Sequence, residues 1–266
     1  MSMSRGTAAP TPYTRGEVSC ANGAVTLAGT LLTPASLSGR HPAVVFVHGA
    51  GAGPRQAFNF LADRLARLGI ASLIFDKRGS GSSTGDWRRA DFGDLAGDAL
   101  ACVRVLKSRR DIDANRIGLV AQSQGGWIAP LAASMSRDVE FMILISGATV
   151  TPARQGWWTT EFRLRERGFQ GRDIDEALAL LKMDDEVTRT GRGLAELNAA
   201  VEHAKSTEWF KAAGFHGVPE PMRPFYRGFM DFNPLPVLQR LSIPIPSLKT
   251  TSPFDGRGWW LVTWIR

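Results

Sequence analysis

The stretch "GLVAQSQGGWIAP", residues 118–130, decides how this chain is read. Ile117 to Ala121 form an apolar run of the kind found in a strand buried on both faces. A serine flanked by glutamines follows, then two glycines and an apolar segment of helical character. A strand that turns straight into a helix leaves one side chain exposed at the corner. It also aims the backbone N–H of the next residue, at the helix N-terminus, toward whatever meets that side chain. Ser123 holds this corner and Gln124 follows it. Two positions either side, small residues are needed to avoid clashes, and here they are Ala121 and Gly125. Glycine is the usual residue at the first of these; an alanine methyl requires backbone of negative φ there.

Working outward, the same alternation repeats. "AVVFV" (43–47), "IASLIF" (70–75), "RIGLVA" (116–121) and "EFMILIS" (140–146) are short β-branched apolar runs. Between them, Phe58, Leu61, Ala62, Leu65 and Leu68, and then Leu95, Ala99, Cys102, Val103 and Leu106, recur at helical spacing. Residues 13–33 alternate around "ANG" and read as a β-hairpin. Strands alternating with helices in this way predict an α/β fold with a mostly parallel sheet. From residue 148 to 235 the pattern becomes helical and aromatic, as in "DIDEALALLK" and "GLAELNAAVEHAKSTEWF", and reads as a helical lid or cap insertion. "LSIPIPSL" (241–248) starts another central strand. The expected organisation is therefore 1–147 as the first part of the core, 148–235 as the lid, and 236–266 as the rest of the core.

Bulk properties narrow the function. Of 266 residues, 44% are hydrophobic, and the net charge of +7 raises the question of nucleic acid. The basic residues are scattered, with nothing longer than the Arg pairs at 88–89 and 109–110, which argues against a nucleic-acid face. No apolar run approaches the roughly 18 residues of a membrane span. The start, "MSMSRGTAAPTP", has no apolar leader core, so a cytoplasmic location is expected. Cys20 and Cys102 suggest neither a disulfide framework nor a metal site, and Cys102 reads as a small core residue. No metal or other cofactor is expected.

A nucleophilic serine needs an exposed hydroxyl, a base, and donors aimed at the developing oxyanion. "VHGAGAG" (47–53), after an earlier strand, is a glycine-rich turn where backbone N–H groups can approach a substrate. Ala50 is the preferred donor and Gly51 the alternative, paired with Gln124. His48 is expected to brace this loop by hydrogen bonding. Taken together, "VFVHGAGAG", "FDKRGSGSS" and "GLVAQSQGGWIAP" resemble, in order and spacing, an α/β-hydrolase-fold serine hydrolase, closest to bacterial esterases and acyl hydrolases with a helical lid. The resemblance covers roughly residues 13 to 246. It implies an eight-stranded sheet, Ser123 as nucleophile, an oxyanion hole from the Ala50 and Gln124 N–H groups, and a mainly structural Asp76–Ser83 turn. It also implies a small-molecule ester substrate.

The resemblance further implies an acid after the strand begun by "IPIPSL" and a histidine beyond it. No histidine lies there, so the catalytic base is not assigned: His41 precedes a strand, and His203 and His216 fall in the lid. Asp255 lies near the expected acid position in a turn, "PFDGRG", that does not match the family's. The tail "SLKTTSPFDGRGWWLVTWIR" follows neither strand nor helix periodicity. It is expected to be a truncated or frame-shifted end that lacks the final strand and helix. Two functions follow: ester hydrolysis through an acyl-enzyme on Ser123, or a catalytically incomplete homologue, with thioesterase or peptidase chemistry as variants of the first.

Overall fold

The computed structural model describes residues 12–35, 39–147, 149–250 and 260–264. Its first element is the expected hairpin, β1 (Tyr13–Asn22) and β2 (Val25–Pro34), turning at Gly23 with φ of 59°. The buried runs then become β3 (His41–Val47), β4 (Ala71–Phe75), β5 (Ile112–Gln122) and β6 (Phe141–Ile145), followed by β7 (Pro246–Thr250) and β8 (Trp260–Trp264). They form one eight-stranded sheet in the order β1-β2-β4-β3-β5-β6-β7-β8. The five strands from β4 to β7 in that order run parallel, while β1, β2 and β8 are antiparallel to their neighbours. The α/β-hydrolase fold expected from the sequence is thus the fold observed.

Parallel strands need helices on their faces, and the sequence supplies them at the predicted places. These are α1 (Asn59–Arg67), α2 (Phe92–Lys107) and α3 (Gly125–Met135). Ala62 and Ala66 of α1, with Phe58 just before it, close over Leu32, Val44, Phe46, Ile74 and Val120. The small alanines let the helix approach the sheet, and each buried Leu, Ile or Phe contributes about 1.5–3 kcal/mol.

Three expectations are corrected. An eighth strand is present where none was expected: β8 pairs antiparallel with β7, Pro246 opposite Trp264 and Thr250 opposite Trp260, and among the described residues no helix follows β7. Its sequence, "WLVTW", is rich in strand formers, and residues 251–259 are fewer than the dozen or so that a parallel crossover needs, so the chain folds straight back. The strand after "LSI" starts at Pro246 rather than near 241, because Pro244 cannot donate to a central ladder and Pro246 is tolerated as the first residue of a strand. Finally, Cys20 on β1 and Cys102 on α2 form a disulfide, with Cα atoms 5.1 Å apart and both residues fully buried. The Asn22 amide, which donates to the Asp94 carbonyl and to Asp98 Oδ1, ties the same hairpin to the same helix.

The described residues divide into two compact units. The sheet unit holds those of 1–87, 93–147 and 240–266, and the helical unit those of 88–92 and 148–239. The helical unit contains α4 (Pro152–Glu166), α5 (Arg172–Thr190), α6 (Leu194–Ala204), α7 (Glu208–Ala213), α8 (Arg223–Arg227) and α9 (Leu235–Leu238). Thr151 caps α4 by accepting from the Arg154 N–H at 3.2 Å, with Pro152 in the first turn. Gly191 ends α5 with φ of 74°. "GLAELNAAVEHAKSTEWF" forms two helices, because Thr207 starts α7 by accepting from the Phe210 N–H. The unit has its own core, with Leu164, Ile174, Leu180, Val187, Leu197 and Trp209 buried.

Candidate active site

The corner after β5 has the form that the sequence requires. Ser123 is exposed, while Ala121, Gln124 and Gly125 on either side are buried. Its φ is 52°, in the left-handed region that side chains other than glycine rarely occupy. The bend is held from both sides: the Ser123 N–H donates to the Ile145 carbonyl of β6 at 2.9 Å, and the Gly126 N–H donates back to the Ser123 carbonyl at 2.7 Å. Gly125 admits no side chain, because a Cβ there would lie 2.7 Å from the Val47 carbonyl oxygen and 3.2 Å from the Ala121 methyl. Ala121 itself fits; Ser123 and Ser146 are the non-glycine residues with positive φ among the described residues.

The glycine turn after β3 comes up against this corner. A Cβ on Gly49 would sit 3.5 Å from the Ser123 Cβ, and Gly51 takes the left-handed backbone with φ of 81°. Among the described residues neither the Ala50 nor the Gln124 N–H has a hydrogen-bond partner. His48 points away from solvent: its Nε2 meets the Phe75 carbonyl oxygen, and its ring lies against those of Phe58 and Phe75. Burial lowers its pKa to about 4 despite that hydrogen bond. It is therefore a neutral imidazole that donates Nε2–H to the carbonyl and braces the loop. Asp76 plays a similar part in its own turn, accepting from the Arg55 and Ser82 backbone N–H groups at 2.8 and 3.0 Å.

Sequence reasoning missed Lys77. Only 2% exposed, its ammonium donates to the Gly49 carbonyl and to Gln124 Oε1, both at 2.9 Å. One cation therefore joins the glycine turn to the residue after the serine. The C=O and N–H of a planar trans peptide point in opposite directions. Lysine held on the Gly49 carbonyl thus turns the Ala50 N–H away from itself. Burial lowers the Lys77 pKa to about 8, so the ammonium form still predominates at neutral pH. The signal in the sequence was a lysine inside a turn, two residues after a fully buried strand, where an aliphatic ammonium must find acceptors.

The other candidates lie elsewhere. His41 is the first residue of β3, opposite Ile112 at the start of β5, whereas Ser123 follows the far end of β5. His203 is on α6 and His216 lines a cavity of the helical unit. Asp255 lies outside the described residues. Among the described residues no group of three His, Cys, Asp or Glu side chains could hold a metal ion, and no helix is long and apolar enough to cross a membrane.

Residues 39–181, just over half of the chain, match the family model described as serine aminopeptidase, S33. The chain belongs to that family. Esterase EstD of Thermotoga maritima is 32% identical over 107 residues, which is 38% of this chain and 26% of EstD. An uncharacterized protein of Mycobacterium tuberculosis is 38% identical over 96 residues, 36% of this chain and 33% of that protein. The matched part thus spans about a quarter to a third of these curated relatives. Among solved structures, the α/β hydrolase GrgF from Penicillium sp. sh18 superposes with a TM-score of 0.54 at 22% identity, covering 92% of this chain and 81% of that one. At that identity the likeness shows the shared α/β-hydrolase fold.

Proposed function

We propose that the chain is a serine hydrolase that cleaves carboxylic esters of small molecules through an acyl-enzyme on Ser123. The observation that carries this reading is the left-handed backbone of an exposed serine between a buried strand and a helix. A strained conformation of this kind costs about 1–3 kcal/mol and persists where function uses it. EstD, named an esterase, supports the choice of ester over amide or thioester.

In the proposed reaction the Ser123 oxygen bonds to the ester carbonyl carbon and gives up its proton to a base. The carbonyl oxygen gains a negative charge, which the Ala50 and Gln124 N–H groups receive; Gly51 is the alternative to Ala50. Collapse expels the alcohol with a proton, and water then releases the acid and restores the serine. Preorganised N–H donors of this kind are each worth about 2.7–4 kcal/mol. The base is not drawn from the histidines of the sheet unit. His48 is buried, neutral and bound to Phe75, and His41 stands at the start of β3. That observation favours a second reading, a homologue of the same fold that binds ligand without turnover.

Release of p-nitrophenol from p-nitrophenyl acetate separates the two readings. The full chain is expected to show a burst and steady release, which Ser123→Ala lowers by about three orders of magnitude or more. Equal rates for both proteins would leave the second reading. The Cys20–Cys102 disulfide supports an oxidising compartment as the working location, in place of the cytoplasm suggested by the sequence.

A further inference from the structure

The helical unit holds a half-open cavity of about 270 Å³, near the small end of the range for ligand pockets. Trp157, Trp209, Phe215 and Tyr226 supply aromatic walls, and Asp185 of α5 lines it as well. The Trp157 indole N–H donates to Asp185 Oδ2 at 2.6 Å. Among the described residues Asp185 has no ion pair, and its second oxygen accepts no hydrogen bond.

Of the neighbouring charges, Asp184 and Arg189 are held in ion pairs, and His216 lines the cavity as well. Asp184, on the same helix and the same cavity, receives Arg223 at 2.7 Å and the Val218 N–H at 2.8 Å. Arg189 is held by Asp231 and Glu186, at 2.8 and 2.9 Å. Arg163, which also lines the cavity, donates to the Ala213 carbonyl at the end of α7. Lys182 sits over the Trp157 ring, 5.4 Å from its centroid. Burial pushes the Asp185 carboxyl above the usual carboxylate range; the Trp157 N–H and the Arg189 charge oppose the shift, and the Asp184 and Asp231 charges add to it. A half-buried carboxylate with no direct ion-pair partner is costly unless something compensates it. Aromatic rings around it favour a cation through their negative faces.

We propose that this cavity is a binding site for a small organic amine in its ammonium form, held by Asp185 and enclosed by the aromatic rings. The ammonium would donate to the free Asp185 oxygen, and the body of the ligand would replace water against the indoles. The proposal stands apart from the ester reading, since every residue it uses lies in the helical unit and none takes part in the chemistry assigned to Ser123.

Calorimetric titration of the full chain with benzylamine, and with benzyl alcohol as its uncharged isostere, tests the site. Benzylamine is expected to bind about tenfold or more tighter than the alcohol, the effect of one charge-assisted hydrogen bond. Asp185→Asn should remove that difference and leave the alcohol unaffected. Gly156→Leu supplies a second variant: Gly156 lines the cavity, and a Cβ there meets nothing within 4 Å. The added side chain should block both probes while keeping α4 intact. Absence of benzylamine binding, equal affinity for the two probes, or benzylamine binding unchanged in Asp185→Asn would each overturn the proposal. So would benzylamine binding unaffected by Gly156→Leu.

Discussion

The buried carboxylates of the sheet unit meet cations: Asp98 receives two Arg78 N–H groups at 2.7 and 2.8 Å, and Asp76 receives the Arg55 side chain at 3.3 Å. In the helical unit Asp184 is matched to Arg223 in the same manner, whereas Asp185, the next residue, faces a cavity with an indole N–H alone. The contrast separates two uses of buried charge. A matched pair fixes one arrangement of the chain, as where Arg78 and Asp98 hold the "DKRG" turn against α2. An unmatched carboxylate weakens the folded state slightly and remains available to a ligand.

Removing Asp98 tests the matched half of that contrast and should have the largest effect. Asp98→Ala leaves Arg78 with its main partner gone, and is expected to lower unfolding free energy by about 3–5 kcal/mol, read as a fall in the urea midpoint. Lys77 comes next. Lys77→Met keeps the volume but frees the Gly49–Ala50 peptide, so kcat on p-nitrophenyl acetate should fall roughly tenfold to a hundredfold with KM nearly constant. A change in KM alone would assign Lys77 to ground-state binding. The smallest effect belongs to the unmatched side. A carboxyl with a raised folded pKa contributes stability below its unfolded pKa and loses it as pH rises through the folded value. Asp185→Asn should therefore raise the melting temperature slightly at pH 7 and leave it unchanged near pH 3. A fall at pH 7 comparable to that of Asp98→Ala would erase the distinction.

Much of this was legible in the chain because it is local. "AVVFV", "IASLIF" and "EFMILIS" became strands since short β-branched runs bounded by turns have few other stable states. The serine corner was legible because its requirements, small residues at 121 and 125, fall within one pentapeptide. The misses share a different cause. Cys20 meets Cys102, Lys77 meets Gln124, and Asp184 meets Arg223 across separations of 82, 47 and 39 residues. Periodicity carries no information about which side chains meet over such spans, since that depends on register and helix docking. β8 escaped for a related reason: an antiparallel return strand is decided by the length of its connection as much as by its own residues.

The central claim concerns the hydroxyl of Ser123, and trapping the covalent intermediate tests it most directly. The full chain is mixed with p-nitrophenyl acetate, quenched in acid within the burst, digested and analysed by mass spectrometry. The account predicts an acetyl group on the peptide that contains Ser123, absent from Ser123→Ala. Acetylation confined to other residues, or p-nitrophenol release that continues unchanged in Ser123→Ala, would contradict it.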